Sequence, residues 1–188
     1  MITITSELLV GWEVPNLISD ELLPMGVMGV FDAPISSVNK VQILLREEVL
    51  DRRGLVYVVA RAVRRACTKT KWSNPDSLRA LGLCDRYAAG EEIPKEYLEK
   101  AAEAASLAAV EVVRRNARAA SNDTAWAASR AADVMTTLAN ANVAARDAVN
   151  WAARAIAPSA EDERKSQLTD CREWLLRVNS QVVSRTNE

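Results

Sequence analysis

From about residue 37 the apolar positions fall into helical spacing and keep it to the end of the chain. In "SSVNKVQILLREEVL", Val38, Val41, Leu45 and Val49 share one face. The next segment, from about Asp51 to Cys67, turns Leu55, Val58, Val59, Ala62, Val63 and Ala66 inward and sets Arg61 and Arg65 on the opposite side, an amphipathic helix. "SNPD" then offers Asn74 as N-cap and Pro75 as first helical residue, and Gly90 suits the left-handed position where that helix ends. Pro94 opens another helix, in which Leu98, Ala101, Ala105, Ala108 and Val112 form a stripe that runs on to about Ala120. Caps in "SNDT" and "NANV" predict two more, about 123–139 and 143–157, the second stopped by Pro158.

The last helix begins at "SAED", where Ser159 and Asp162 have capping-box spacing, and carries the seam Leu168, Cys171, Leu175, Val178 and Val182. A seam of that kind needs a partner helix, within the chain or on a second copy of it as a homo-oligomer. One short seam favours the internal partner, because a coiled coil sustains three or four heptads.

Residues 1–50 break the pattern. Pro15, Pro24 and Pro34 interrupt it, Thr5 can cap a helical turn over Glu7, Leu8 and Leu9, and "GVMGVF" (26–31) reads as an edge strand or a buried loop. The expectation is a single, mainly α protein: a bundle of six to eight helices, with residues 1–50 an irregular acidic segment of short elements and 51–188 an alanine-rich helical bundle. A chain of 188 residues can bury roughly 70% of its unfolded surface, so a real core is expected.

Composition sharpens this picture at one place. Between Ala101 and Ala157 there are 23 alanines in 57 residues, so helix backbones can approach closely, with Trp126 and Trp151 filling gaps that alanine leaves. The Trp-Ala-Ala echo at 126 and 151 reads as compositional, since Trp126 follows Asn122 by four residues and Trp151 follows Asn142 by nine. Arg130 and Arg154 lie within a turn of these indoles and can stack on them, which leaves each Trp as core filler or as part of a partner-binding surface.

The formal net charge is -1, which excludes a global field that would hold the chain on nucleic acid or on an anionic membrane. Locally the balance is uneven. Residues 52–75 carry Arg52, Arg53, Arg61, Arg64, Arg65, Lys69 and Lys71 with no acid and with Trp72 near the end, whereas residues 1–50 hold seven acids and two bases. Three readings stay open: a solvated or internally paired surface, a contact for an acidic protein, or a contact for nucleic acid. The macrodipole alone accounts for Lys69 and Lys71 near a helix C-terminus. Nucleic acid would want more aromatics than Trp72 and Tyr57, and it implies a log-log salt slope of about -4 to -6.

Catalytic chemistry finds little purchase. There is no histidine, no G-x-G-x-x-G, Walker loop or G-x-S-x-G, and no ligand spacing for zinc, so neither an enzyme nor a cofactor or metal is expected. Cys67, Cys84 and Cys171 are odd in number and far apart. Cys67 lies near Arg64, Arg65 and Lys69, yet its phase puts it beside Val59 and Val63, as an inert buried thiol. Glu47-Glu48 and Glu91-Glu92 are adjacent, so in a helix they diverge by about 100° and cannot share a proton. "MITITSELLVGW" lacks a basic n-region before a long apolar run and no stretch is long enough to span a bilayer, which predicts a soluble cytoplasmic protein without membrane contact.

Through "DRRGLVYVVARAVRRACTK", "NPDSLRALGLCDRYAAGEEIPKEYLEKAAEAA", "AWAASRAA", "NWAARAIA" and "EDERKSQLTDCREWLL" the chain resembles the alanine-rich helical immunity proteins of bacterial toxin-immunity loci and phage-like elements. It departs from them in having no histidine and in the strength of its basic helix. The resemblance implies no catalytic residues and a stoichiometric binder: a non-enzymatic inhibitor or immunity protein that neutralises a toxin or a host defence effector, such as a CRISPR nuclease, by protein-protein contact. Arg and Trp are the commonest hot spots, so the expected contact is Arg61, Arg64, Arg65, Lys69, Lys71 and Trp72, with Trp126 and Arg130 as a second patch. A nucleic-acid-binding accessory protein using the basic helix 52–71 and a phage structural or scaffolding component are the alternatives.

Overall fold

The structure, a computed structural model, describes residues 2–115, 118–136 and 141–185, with side chains to residue 180. In the N-terminal segment a short ribbon pairs β1 (Thr3–Ile4) antiparallel with β2 (Met25–Gly26), Thr3 opposite Gly26. Between them lies α1 (Ser6–Gly11), started by the Thr5 hydroxyl, which accepts the Leu8 N–H at 3.2 Å. After them comes α2 (Val27–Asp32), so most of "GVMGVF" is a helix, neither edge strand nor loop. Val27 and Val30 are both buried, and three residues apart they share a helix face, whereas in a strand they would point opposite ways.

Seven longer helices follow among the described residues. They are α3 (Ser37–Leu44), α4 (Arg52–Thr70), α5 (Pro75–Ala88), α6 (Lys95–Arg114), α7 (Ala119–Thr136), α8 (Ala141–Ala155) and α9 (Ala160–Arg185). Their starts are chemically marked: Ser36 accepts the Asn39 N–H, Asp51 accepts that of Gly54, and Asn74 accepts those of Asp76 and Ser77 with Pro75 at the first position. Gly90 has φ 96°, the left-handed conformation expected there.

Two boundaries differ from the sequence reading. α6 ends at Arg114 and α7 begins at Ala119, so "SNDT" lies inside α7 and not before it. Two of its polar side chains reach other helices: the Thr124 hydroxyl, which also bonds back to Ala120 O within α7 at 2.7 Å, meets Thr70 Oγ1 at 3.1 Å, and Asp123 lies 3.6 Å from Arg154. In "NANV", Asn140 falls outside the described residues, and Asn142 is already within α8, where its Oδ1 accepts the Glu47 N–H at 2.8 Å.

α4 is the hub of the bundle and touches α5, α7, α8 and α9, while α7 packs between α6 and α8. The alanines do what their size allows. Ala125, Ala128, Ala131 and Ala132 of α7 and Ala141, Ala145, Ala148 and Ala152 of α8 are buried, so the two backbones approach with little between them. One core runs from Ile4 and Leu9 through Leu55, Val58, Val59 and Val63 to Cys171 and Trp174, which joins the N-terminal segment to the bundle.

The α9 seam points into that core. Cys171 is fully buried and Leu168, Leu175 and Val178 pack against the cluster, facing α3, α4 and α8; the side chain of Val182 lies outside the described residues. Gly54 permits a close approach of α9 to α4. Its Cα lies under the Trp174 indole, whose Nε1–H donates to Asp51 Oδ1 at 3.1 Å, so any side chain at 54 would collide with the ring.

Candidate functional site

The basic helix proves to be engaged within the molecule. Arg61 Nε lies 3.0 Å from Asp170 and its Nη1 2.6 Å from Glu173, with a further hydrogen bond to the Tyr57 hydroxyl. Arg65 grips Glu163 with two hydrogen bonds of 2.8 and 2.9 Å, and its Nη1 sits 2.8 Å from Asp170 Oδ2, out of line for a hydrogen bond and so a charge contact only. Arg64 pairs with Asp85 of α5, and Arg52 with Glu47 at 2.7 Å. The acids that neutralise Arg61 and Arg65 therefore come from α9, where Glu163, Asp170 and Glu173 line the face turned to α4, while the acidic N-terminal segment supplies Glu47. Glu163 and Asp170 are 3% and 2% exposed. Burial pushes the Asp170 carboxyl above its ordinary range, against the pull of Arg65 and Arg61. Gln167 completes the network by donating to Val149 O and Glu163.

Lys69 and Lys71 remain exposed. Lys71 is left-handed at φ 57°, and the Trp72 N–H returns to Cys67 O at 2.9 Å, a Schellman ending with lysine where glycine is usual. The reversal brings Trp72 beside Trp126: both pack on Ala109, Val112 and Ala125, which joins part of the two patches that the sequence keeps apart. The Trp72 indole N–H is enclosed there with no acceptor among the described residues. Arg130 is held by Asp133 at 3.0 Å and Asp147 at 3.8 Å, and the expected stacking forms at the other indole, Arg154 lying 4.4 Å over Trp151.

Next to Trp72 the surface opens into a trough between α5 and α6. One half, about 470 Å³, is walled by Trp72, Asn74, Leu107, Glu111 and Arg115; the other, about 430 Å³, by Arg79, Leu83, Arg86, Tyr97 and Lys100. They meet at Asp76 and Ala104, and Ala101 and Ala108 form the floor. Tyr97 is 64% and Leu107 63% exposed, the two most exposed large apolar side chains among the described residues, and both line the trough. A third cleft of about 420 Å³, between α4 and the start of α9, is lined by Ile156 and sets Arg64, Arg65 and Lys69 against Asp162 and Glu163. Arg65 and Glu163 are already paired with each other there.

The sequence reading missed the trough, though one signal was present. Leu107 stands a step of about 100° away from Ala108 and off the buried stripe of α6, the phase of a residue turned to solvent.

Cys67 is buried, as expected, and so are Cys84 and Cys171. Burial pushes Cys67 up to about 11 and Cys84 up to about 12, and raises Cys171 further. Among the described residues no group of three or more metal-ligating side chains is gathered, and no helix is long and apolar enough to cross a membrane. No family model matches the chain, and no curated protein or solved structure is found similar to it.

Proposed function

We propose that the chain acts by binding another protein, as a stoichiometric inhibitor or immunity protein would to cover a toxin or a host defence effector. The observation that carries this reading is the exposure of Tyr97 and Leu107 in one trough on a close-packed scaffold. A rigid bundle holds such anchors in place before contact, so little ordering entropy is lost on binding. The contact surface accordingly centres on the α5–α6 trough and its Trp72 end, with exposed Lys71 next to Trp72. Arg61 and Arg65 play a smaller part, because a partner would have to displace carboxylates already held in the same chain.

The test is affinity capture from host lysate with the tagged full chain, with and without nuclease. A protein retained in near-stoichiometric amount after nuclease treatment, and lost with Leu107→Glu, is the expected result. Retention that vanishes with nuclease would make the basic surface a phosphate contact and overturn the protein-binding reading.

A further inference from the structure

Resting on that protein-binding reading, we propose that the α5–α6 trough receives an acidic amphipathic helix of the partner protein. The shape selects a helix. From Tyr97 to Arg115 the α6 wall is about 27 Å long at 1.5 Å per residue, room for roughly five helical turns. The floor of Ala101, Ala104 and Ala108 lets a ridge of side chains settle between α5 and α6, as ridges settle into grooves between packed helices. Tyr97 and Leu107, about 15 Å apart along the helix, then give apolar cover to anchors spaced three, four and seven residues on the occupant.

The charge selects its flanks. The trough is lined by four cations, Arg79, Arg86, Lys100 and Arg115, against two carboxylates, Asp76 and Glu111. Those two already sit on Arg79 at 3.4 Å and Arg115 at 2.7 Å, and Arg86 is held by Glu91. Lys100 has no carboxylate within ion-pair distance among the described residues, and exposed Lys71 adds a further positive charge next to Trp72. A helix whose apolar stripe is flanked by Asp and Glu meets complementary charge here, whereas one flanked by Lys and Arg meets its like.

The experiment is a display selection with the immobilised full chain as bait and, as probe, a library built on a helical scaffold of about 18 residues with its surface positions randomised. Enriched sequences are remade as labelled peptides and measured by fluorescence anisotropy. The expected binders carry apolar residues at helical spacing and more carboxylates than cations. They bind about tenfold more weakly to Leu107→Ala, the loss of one covered leucine, and about threefold more weakly to Lys100→Gln. Both side chains are exposed, so unchanged circular dichroism and melting confirm that each variant folds.

No enrichment, enrichment of basic or uncharged helices, or affinity indifferent to Leu107 overturns the proposal. So does light scattering that shows the trough covered by a second copy of the chain, in a dimer that Leu107→Glu dissociates. Cross-linking of the protein captured from lysate separates the two levels: a partner held at the trough through a loop or a strand sinks the helix while protein binding stands, and an empty capture removes protein binding itself.

Discussion

Replacing Gly54 with alanine asks whether α9 is locked to the start of α4 through Trp174. The Asp51 Oδ1 that accepts the Gly54 N–H at 2.8 Å also accepts the indole N–H at 3.1 Å, so one oxygen ties the two helices together. A Cβ at 54 would stand 2.6 Å from the indole Cδ1 and 3.0 Å from Cε2, well inside contact distance, and the ring must move. Its displacement gives up a hydrogen bond to a carboxylate, about 1.5–3 kcal/mol, and overpacks a site where the ring is 7% exposed, about 1–3 kcal/mol. The better helix propensity of alanine returns at most about 1 kcal/mol. A net loss of about 3 kcal/mol is expected, read as a lower urea midpoint and a Tm lower by about 6–12 °C for a chain of this size. In a Trp174→Ala background the collision is gone, and Gly54→Ala becomes neutral or stabilises by up to about 1 kcal/mol. A wild-type cost below about 1 kcal/mol, or the same cost in both backgrounds, would refute the reasoning.

Three further outcomes follow from the same contacts. Glu163→Gln leaves Arg65 without its bidentate carboxylate and should cost about 3 kcal/mol in urea unfolding, the low end for breaking a buried pair because Arg65 keeps some contact with water, while Arg65→Met with Glu163→Met recovers most of it. Asp170 has a raised carboxyl in the folded state, so it takes up a proton on folding, and its contribution is present below the unfolded value of about 3.9 and lost as pH rises through the folded value. Stability of Asp170→Asn, followed by urea midpoints from pH 6 down to 4, should therefore fall more steeply on acidification than that of the wild type; a shallower fall contradicts the sign. Cys67, Cys84 and Cys171 should react with a thiol reagent at pH 8 only as fast as the chain opens, and rapid labelling of any of them in the native protein would show that the site is not closed.

The candidate site was legible in the sequence only in part. Trp72 and the lysines before it stand out by composition, and Trp126 was singled out too, though nothing in the order of residues places it on the same small cluster as Trp72. Tyr97 and Leu107 were passed over because a stripe such as Leu98, Ala101, Ala105 draws attention to the buried face. Whether the opposite face is solvated or awaits cover depends on what the rest of the chain places beside it.

The helices themselves are a property of the sequence. Asn74 with Pro75, Gly90, Thr5 and the apolar phase of α4 act over three or four residues, and at that range capping and burial periodicity already decide the local structure. Tertiary structure decided what each polar group is for. Asp123 and Thr124 sit in a cap-like string yet serve contacts between helices, and Arg61 and Arg65 sit in an acid-free segment yet meet Asp170, Glu173 and Glu163 about a hundred residues away. A charge or a hydroxyl takes its role from the nearest group of opposite character, and that group is set by the path of the chain through space.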